Sequence, residues 1–329
     1  MRIWGHIANC LKSSGACALV TVAETGGSTP RETGARMIVR PDGGFYGTIG
    51  GGTLEFEVIR QAAKAASRKT AGFELKTVSL GPDLGQCCGG RAKIAIEVFI
   101  DEQLEVAERL ALEEEKQSPF ATRAIIENGS VLERKLVDQA PKDAFQIVEE
   151  NCQKRLIEQF GETRRTLYLF GAGHVGKALV LGLAPLPFSI VWIDSRADQF
   201  PTAVPANVTK ICTSDPAKAL EDAPDGAFVL AMTHSHGLDE EIMARALLAQ
   251  RFDYCGVFGS KTKRARFLKR LKTRGLSDSV LSTMVCPVGV TTIKSKHPAA
   301  IAAGIVVDLI ARDEACYQQA AASGRLAHK

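Results

Sequence analysis

The chain of 329 residues contains no long uncharged apolar run, no internal repeat and no low-complexity segment, and its aromatic content is only 6%. A helical membrane span needs roughly 18 consecutive apolar residues. The best N-terminal run, Ala16 to Ala23, is far shorter and follows the polar Lys12-Ser13-Ser14-Gly15, so it reads as a strand and not as a signal peptide. A disulfide framework is also missing. The 9 cysteines are odd in number and scattered, except for the adjacent pair Cys87-Cys88, which suits a reducing compartment. The expectation is a cytoplasmic protein with no membrane partner.

What is present is globular. A hydrophobic fraction of 45% and a charged fraction of 24% match ordinary folded domains. The length exceeds what one core usually fills, which predicts two domains. The net charge of +4 conceals an asymmetry: residues 1–163 carry 20 basic against 23 acidic side chains, and residues 164–329 carry 21 against 14. The second half is therefore the one expected to meet an anion.

The pattern along the chain changes near residue 164. Before it, short β-branched runs alternate with glycine-rich turns and two helical patterns, predicting a mixed α+β domain over 1–163. The charged stretch from about residue 143 to Arg165 reads as a connector. From 164 to 329, strands and helices alternate at roughly 25-residue intervals, the rhythm of a Rossmann-like doubly wound parallel sheet.

Gly171-Ala172-Gly173-His174-Val175-Gly176 satisfies the dinucleotide fingerprint in context, after an apolar strand and at the start of a helix. The glycines would serve the tight turn, the approach of a phosphate and helix packing, and Asp194 at the end of the next strand would accept from a ribose hydroxyl. The same glycines also meet purely structural needs of the turn. A nucleotide at this site, with His174, His234 or His236 as acid or base, gives one functional reading: an NAD(P)-dependent oxidoreductase. His234, His236 and Asp239 also form a weak metal pattern, and Asp239 a helix cap.

In the first half, Gly26 to Arg31 supplies backbone donors, the hydroxyls of Ser28 and Thr29 and the guanidinium of Arg31, groups that recognise phosphate or a pterin edge. The Gly47 to Gly52 cluster precedes a helix containing Glu55. Cys87-Cys88 lies in a glycine-flanked loop between strands. Adjacent Cα atoms are about 3.8 Å apart, below the roughly 4.4–6.8 Å of ordinary disulfides, so free thiols are the expected state. Two readings stand for the pair: thiolates for a soft metal centre, or small residues in a tight turn.

Three ordered motifs, Gly27-Ser28-Thr29-Pro30-Arg31, Gly47-Thr48-Ile49-Gly50-Gly51-Gly52 with Glu55, and Gly85-Gln86-Cys87-Cys88-Gly89-Gly90, resemble the xanthine dehydrogenase accessory protein XdhC family. The second half agrees through Phe170 to Gly176, Thr233 to His236, Gly259-Ser260-Lys261 and Cys286 to Gly289. The resemblance implies a non-catalytic chaperone that binds the molybdenum cofactor (molybdopterin), supports its sulfuration by a cysteine desulfurase and delivers it to the xanthine dehydrogenase apoenzyme. It implies that Cys87 or Cys88 meets the molybdenum of that cargo. Gln86, Ser28, Thr29, Arg31, Gly50, Gly51, Gly52 and Glu55 would surround the cofactor, and Gly171, Gly173, His174, Gly176, Asp194, His234 and His236 would shape the opposite wall. The basic run Lys261 to Arg274 lacks the interleaved aromatics of a nucleic-acid module, so no nucleic acid is expected. A homodimer is compatible with the sequence but not specified by it.

Overall fold

The computed structural model describes residues 2–79, 90–116, 118–138 and 143–322. The chain divides into two compact units, Met1–Thr163 and Arg164–Lys329. Among the described residues no helix is long and apolar enough to cross a membrane.

The first unit begins with α1 (Ile3–Ser14), β1 (Ala16–Gly26), β2 (Arg36–Val39), β3 (Phe45–Gly47), α2 (Gly52–Ala66), β4 (Gly72–Ser79) and β5 (Arg91–Ile100). The five strands form one sheet in the order β3-β2-β1-β5-β4. Strand alternation divides their side chains between two faces. Ala18, Val20, Ile94, Ile96 and Val98 pack with Leu54, Val58 and Ala62 of α2. Cys17, Leu19 and Phe99 pack on the other face with Trp4, Ile7 and Leu11 of α1.

Beyond them come α3 (Leu104–Glu115), β6 (Phe120–Glu127), β7 (Ser130–Val137), β8 (Phe145–Glu150) and β9 (Gln153–Phe160). These four strands make a second, antiparallel sheet ordered β7-β6-β9-β8. Asn128 and Gly129 both have positive φ, 49° and 74°, the backbone of the tight hairpin their dipeptide predicts. The charged stretch after residue 143 is not a connector. It folds into β8 and β9, with β9 inside the sheet, because Leu156, Glu158 and Phe160 alternate along β9 onto a buried face and Phe145 anchors β8. Period-two alternation, not overall polarity, decides that segment.

A buried ion cluster ties the two sheets together. The Arg134 guanidinium on β7 donates to Glu158 on β9 and to Glu97 on β5, both at 2.6 Å, and to the Thr122 hydroxyl on β6 at 3.0 Å. Arg36 on β2 donates to the Gln159 carbonyl at 2.8 Å and pairs with Glu158 at 3.3 Å, its guanidinium lying over the Phe160 ring. Burial pushes the Glu97 carboxyl up to about 7, against the pull of Arg134.

The second unit holds β10 (Arg165–Phe170), α4 (His174–Leu183), β11 (Phe188–Asp194), β12 (Val208–Cys212), β13 (Phe228–Ala231), α5 (His236–Ala249) and β14 (Tyr254–Val257). It ends with α6 (Lys261–Thr273), α7 (Asp278–Ser282), β15 (Met284–Val285) and α8 (Pro298–Ala322). All six strands are parallel, ordered β12-β11-β10-β13-β14-β15. The order reverses beside β10, as in doubly wound nucleotide folds, so the expected Rossmann-like class is observed. Leu179 and Leu183 of α4 and Ile305 and Leu309 of α8 cover one face, and Ile242, Met243 and Leu247 of α5 with Phe267 and Leu271 of α6 cover the other.

Arg134→Met should destabilise the first unit by about 3–5 kcal/mol in chemical denaturation, because Glu97 would be left as an uncompensated buried charge and Glu158 would keep only Arg36. An unchanged denaturation midpoint would contradict the role given to this cluster.

Candidate cofactor-handling site

In the first unit, close backbone contacts bring the glycine motifs together. A Cβ on Gly90 would lie 2.2 Å from the Ser28 carbonyl oxygen and 2.9 Å from that of Gly26, a contact only glycine permits. Gly26 and Ser79 each pair with Arg91 across β5. One root of the segment that carries Gln86, Cys87 and Cys88, at Gly90, therefore stands against Gly26–Ser28, and the other, Ser79, lies across β5 from it. Gln86, Cys87 and Cys88 themselves lie outside the described residues.

The second glycine loop meets the same region. Gly50, Gly51 and Gly52 have φ of 129°, 76° and 70°, a run that side chains disfavour. A Cβ on Gly50 would fall 2.6 Å from the Pro30 ring. Glu55 folds back from α2 to hold this loop: its carboxylate accepts from the Thr48 hydroxyl at 2.6 Å, the Ile49 N–H at 2.8 Å and the Gly51 N–H at 3.1 Å. Burial disfavours the charge, but these donors hold the carboxyl below its ordinary range. Glu55 thus bears on the site through the loop it braces.

Thr29 donates to the Arg31 carbonyl, fixing the turn, and the half-buried Arg31 guanidinium has a carboxylate partner in the exposed Glu32, at 3.2 Å. Ser28 is exposed. A cleft of about 440 Å³ opens here, lined by Arg31, Thr33, Thr48, Gln159 and Glu162 among others. Its lining of hydroxyls, an amide and charges of both signs suits a polar ligand.

In the second unit, the fingerprint glycines divide by environment. A Cβ on Gly171 would meet the Met232 carbonyl oxygen at 2.4 Å, and one on Gly176 the Gly171 carbonyl oxygen at 2.3 Å. Internal packing explains both. Gly173, which caps α4, has ordinary φ of −72° and nothing within 4 Å of its would-be Cβ. Only at Gly173 is there room for a phosphate to reach the turn.

Asp194 is buried and its oxygens are taken: Oδ2 accepts from the Ala172 N–H at 2.7 Å and from Arg196 at 3.0 Å, and Oδ1 from the Arg196 N–H and Nε at 3.0 Å. Burial opposes its charge, yet Arg196 and Ala172 hold the carboxyl below its usual range. His174, His234 and His236 are exposed at the helix starts that follow β10 and β13. No metal-binding group of His, Cys, Asp or Glu occurs among the described residues, so the His234, His236 and Asp239 pattern forms none there.

Asp239 does not cap α5; Ser235 does, accepting from the Leu238 N–H. Asp239 is instead a buried post, accepting from the Thr233 N–H at 2.9 Å and from Lys263 Nζ at 2.6 Å. Lys263 also donates to the Phe258 carbonyl at 2.8 Å, locking the loops after β13 and β14 together. In the sequence Lys263 is one of the basic residues of the run Lys261 to Arg274. Its signal was Gly259, where a Cβ would strike the Lys263 side chain at 2.5 Å. Arg196 was also missed, although its place two residues after Asp194 offered the clue. Cys286 is buried with Sγ 3.8 Å from the Ser260 carbonyl, and burial pushes its thiol up.

Residues 10–79 match the XdhC and CoxI family, and residues 167–309 match the XdhC Rossmann domain. The chain belongs to the XdhC family. An Escherichia coli K12 relative, the uncharacterized protein YqeB, is 26% identical over 94% of this chain, but the chain spans about half of that relative, 46% of its length. A Bacillus subtilis relative, named as a probable subunit of xanthine dehydrogenase, is 23% identical, covering 89% of this chain and 92% of its own. A crystal structure of a xanthine dehydrogenase from Bacillus halodurans shares the fold with a TM-score of 0.75 at 23% identity, covering 95% of this chain and 96% of that one.

Two measurements check the local assignments in this XdhC-family chain. Glu55→Gln should cost about 1–3 kcal/mol of stability at neutral pH, the range of hydrogen bonds to a charged group. Because the folded-state carboxyl sits below its unfolded value, the difference from wild type should shrink as pH falls below the ordinary glutamate range. Gly176→Ala should lower the stability of the second unit by about 1–3 kcal/mol through its backbone clash, and Gly173→Ala should leave it nearly unchanged.

Proposed function

We propose that this chain is an accessory protein of xanthine dehydrogenase: it carries the molybdenum cofactor as cargo, supports its sulfuration by a cysteine desulfurase, and delivers it to the apoenzyme. The observation that supports this reading most is the convergence in the first unit. Gly90 seats the root of the cysteine segment on Gly26–Ser28, and Gly50 seats the braced glycine loop on Pro30. The Arg31 guanidinium, the braced glycine loop and one root of the cysteine segment are thereby drawn from three distant parts of the chain to one neighbourhood.

The cargo's chemistry fits such a set. A dithiolene-bound molybdenum is a soft centre that thiolates favour, a pterin offers a flat edge of donors and acceptors, and its terminal phosphate calls for a guanidinium. Glycine-rich walls let a bulky ligand approach the backbone. Family membership supports the link to xanthine dehydrogenase.

One observation favours a second reading, a nucleotide at the fingerprint: Gly173 alone among the fingerprint glycines has no internal reason to be glycine. An NAD(P)-dependent oxidoreductase of the usual type would also need Asp194 free for the ribose, and its carboxylate is already engaged by Ala172 and Arg196.

Cys87→Ala/Cys88→Ala, coexpressed with molybdopterin synthesis, should lose both molybdenum and fluorescent oxidised pterin from the gel-filtration peak that wild type retains. Undiminished molybdenum and pterin would defeat the assignment, and copurifying NAD(P) in their place would favour the second reading.

A further inference from the structure

A cavity of about 560 Å³ lies in the second unit, where the loops after β14 and β15 meet the start of α8. Two motifs singled out in the sequence but unused by the cofactor reading meet there, Gly259-Ser260-Lys261 through Gly259 and Lys261, and Cys286-Pro287-Val288-Gly289 through its last three residues. Close packing builds its inner part: a Cβ on Gly289, whose φ is 83°, would come within 3.2 Å of Gly304 and Ile305.

The lining has two chemical characters. Phe258, Val288, Val290, Ile293 and Ile301 are apolar, and Lys261, Lys294, Thr291 and Ser295 supply ammonium groups and hydroxyls. None of the lining residues is acidic. This contrasts with three other cations of the basic helix. Lys263, Arg270 and Lys272 of α6 pair with Asp239, Glu240 and Asp278. Lys261 forms no ion pair with any described residue, and the Lys294 ammonium donates to the Thr291 carbonyl at 2.6 Å, an uncharged partner. Two exposed cations beside an apolar wall, with no carboxylate in the lining, give the cavity a positive character that an anionic ligand complements.

We propose that this cavity binds a small organic phosphate, with Lys261 and Lys294 holding the phosphoryl group and the apolar wall covering a ring. The volume falls within the roughly 300–1,000 Å³ of ordinary small-molecule sites, several times what inorganic phosphate needs. None of the lining residues belongs to the fingerprint turn or to the first unit. The site therefore stands whether or not the first unit carries molybdopterin.

The test uses the full chain and isothermal titration with ADP, neopterin triphosphate, inorganic pyrophosphate and adenosine. Binding of ADP or of the phosphorylated pterin, tighter than pyrophosphate or adenosine, is expected, and which of the two binds tighter identifies the ring. Lys261→Gln/Lys294→Gln should weaken that binding at least roughly tenfold and flatten its dependence on salt. Both side chains are exposed, so the variant should keep the wild-type melting temperature without ligand. Lys269→Gln, on the same helix but outside the cavity, and Gly173→Val at the fingerprint should leave the affinity unchanged. No binding of either organic phosphate at millimolar concentration, equal affinity in the double lysine variant, or loss confined to Gly173→Val would each overturn the proposal.

Discussion

Backbone held closer to its neighbours than any Cβ allows is the constraint on which both units depend. Gly90 lies on the Ser28 carbonyl, Gly50 on the Pro30 ring, Gly171 on the Met232 carbonyl and Gly176 on the Gly171 carbonyl. Each contact joins segments far apart in sequence or turns a strand sharply into a helix. The loops that carry the chemistry are therefore fixed at their roots by packing, which leaves their side chains free for other work. Pre-placed loops on a rigid frame are what a binding site requires.

Charge follows a second rule, that cations inside the frame are paired with carboxylates. In the first unit Arg134 and Arg36 share Glu97 and Glu158 between two sheets, an arrangement that costs desolvation and admits only one geometry. In the second, Lys263 and Asp239 pin two loops at the carboxyl edge of the parallel sheet. Arg196 is spent on Asp194 in the same manner, which changes the fingerprint from a ribose acceptor into a closed turn. Lys261 and Lys294 are exposed, have no carboxylate partner among the described residues, and lie where the lining holds no acid.

These two rules bear differently on the two functional readings. The structural use of Gly171, Gly176 and Asp194 explains most of a conspicuous nucleotide motif without a nucleotide. The convergence of the first-unit motifs has no comparable explanation in packing alone, since close contact requires glycine at Gly50 and Gly90 but not a guanidinium at Arg31 or a cleft beside it.

The amino-acid sequence by itself determined the local elements and the fold class, because strand and helix periodicity and turn chemistry are properties of neighbouring residues: Asn128-Gly129 made its hairpin, and the alternation after Arg165 made the parallel sheet. It misjudged residues 143–165, where total charge obscured the buried alternation of Leu156, Glu158 and Phe160. Only the tertiary structure decided which charges are partnered. Glu55, Asp194 and Asp239 looked alike as available carboxylates, yet each is consumed by donors brought from its own loop or from another helix. Lys261 and Lys263 looked alike as surface cations, yet one lines a cavity and the other is buried on a carboxylate. Partnership depends on distances between segments that the chain brings together only on folding, and no local pattern encodes it.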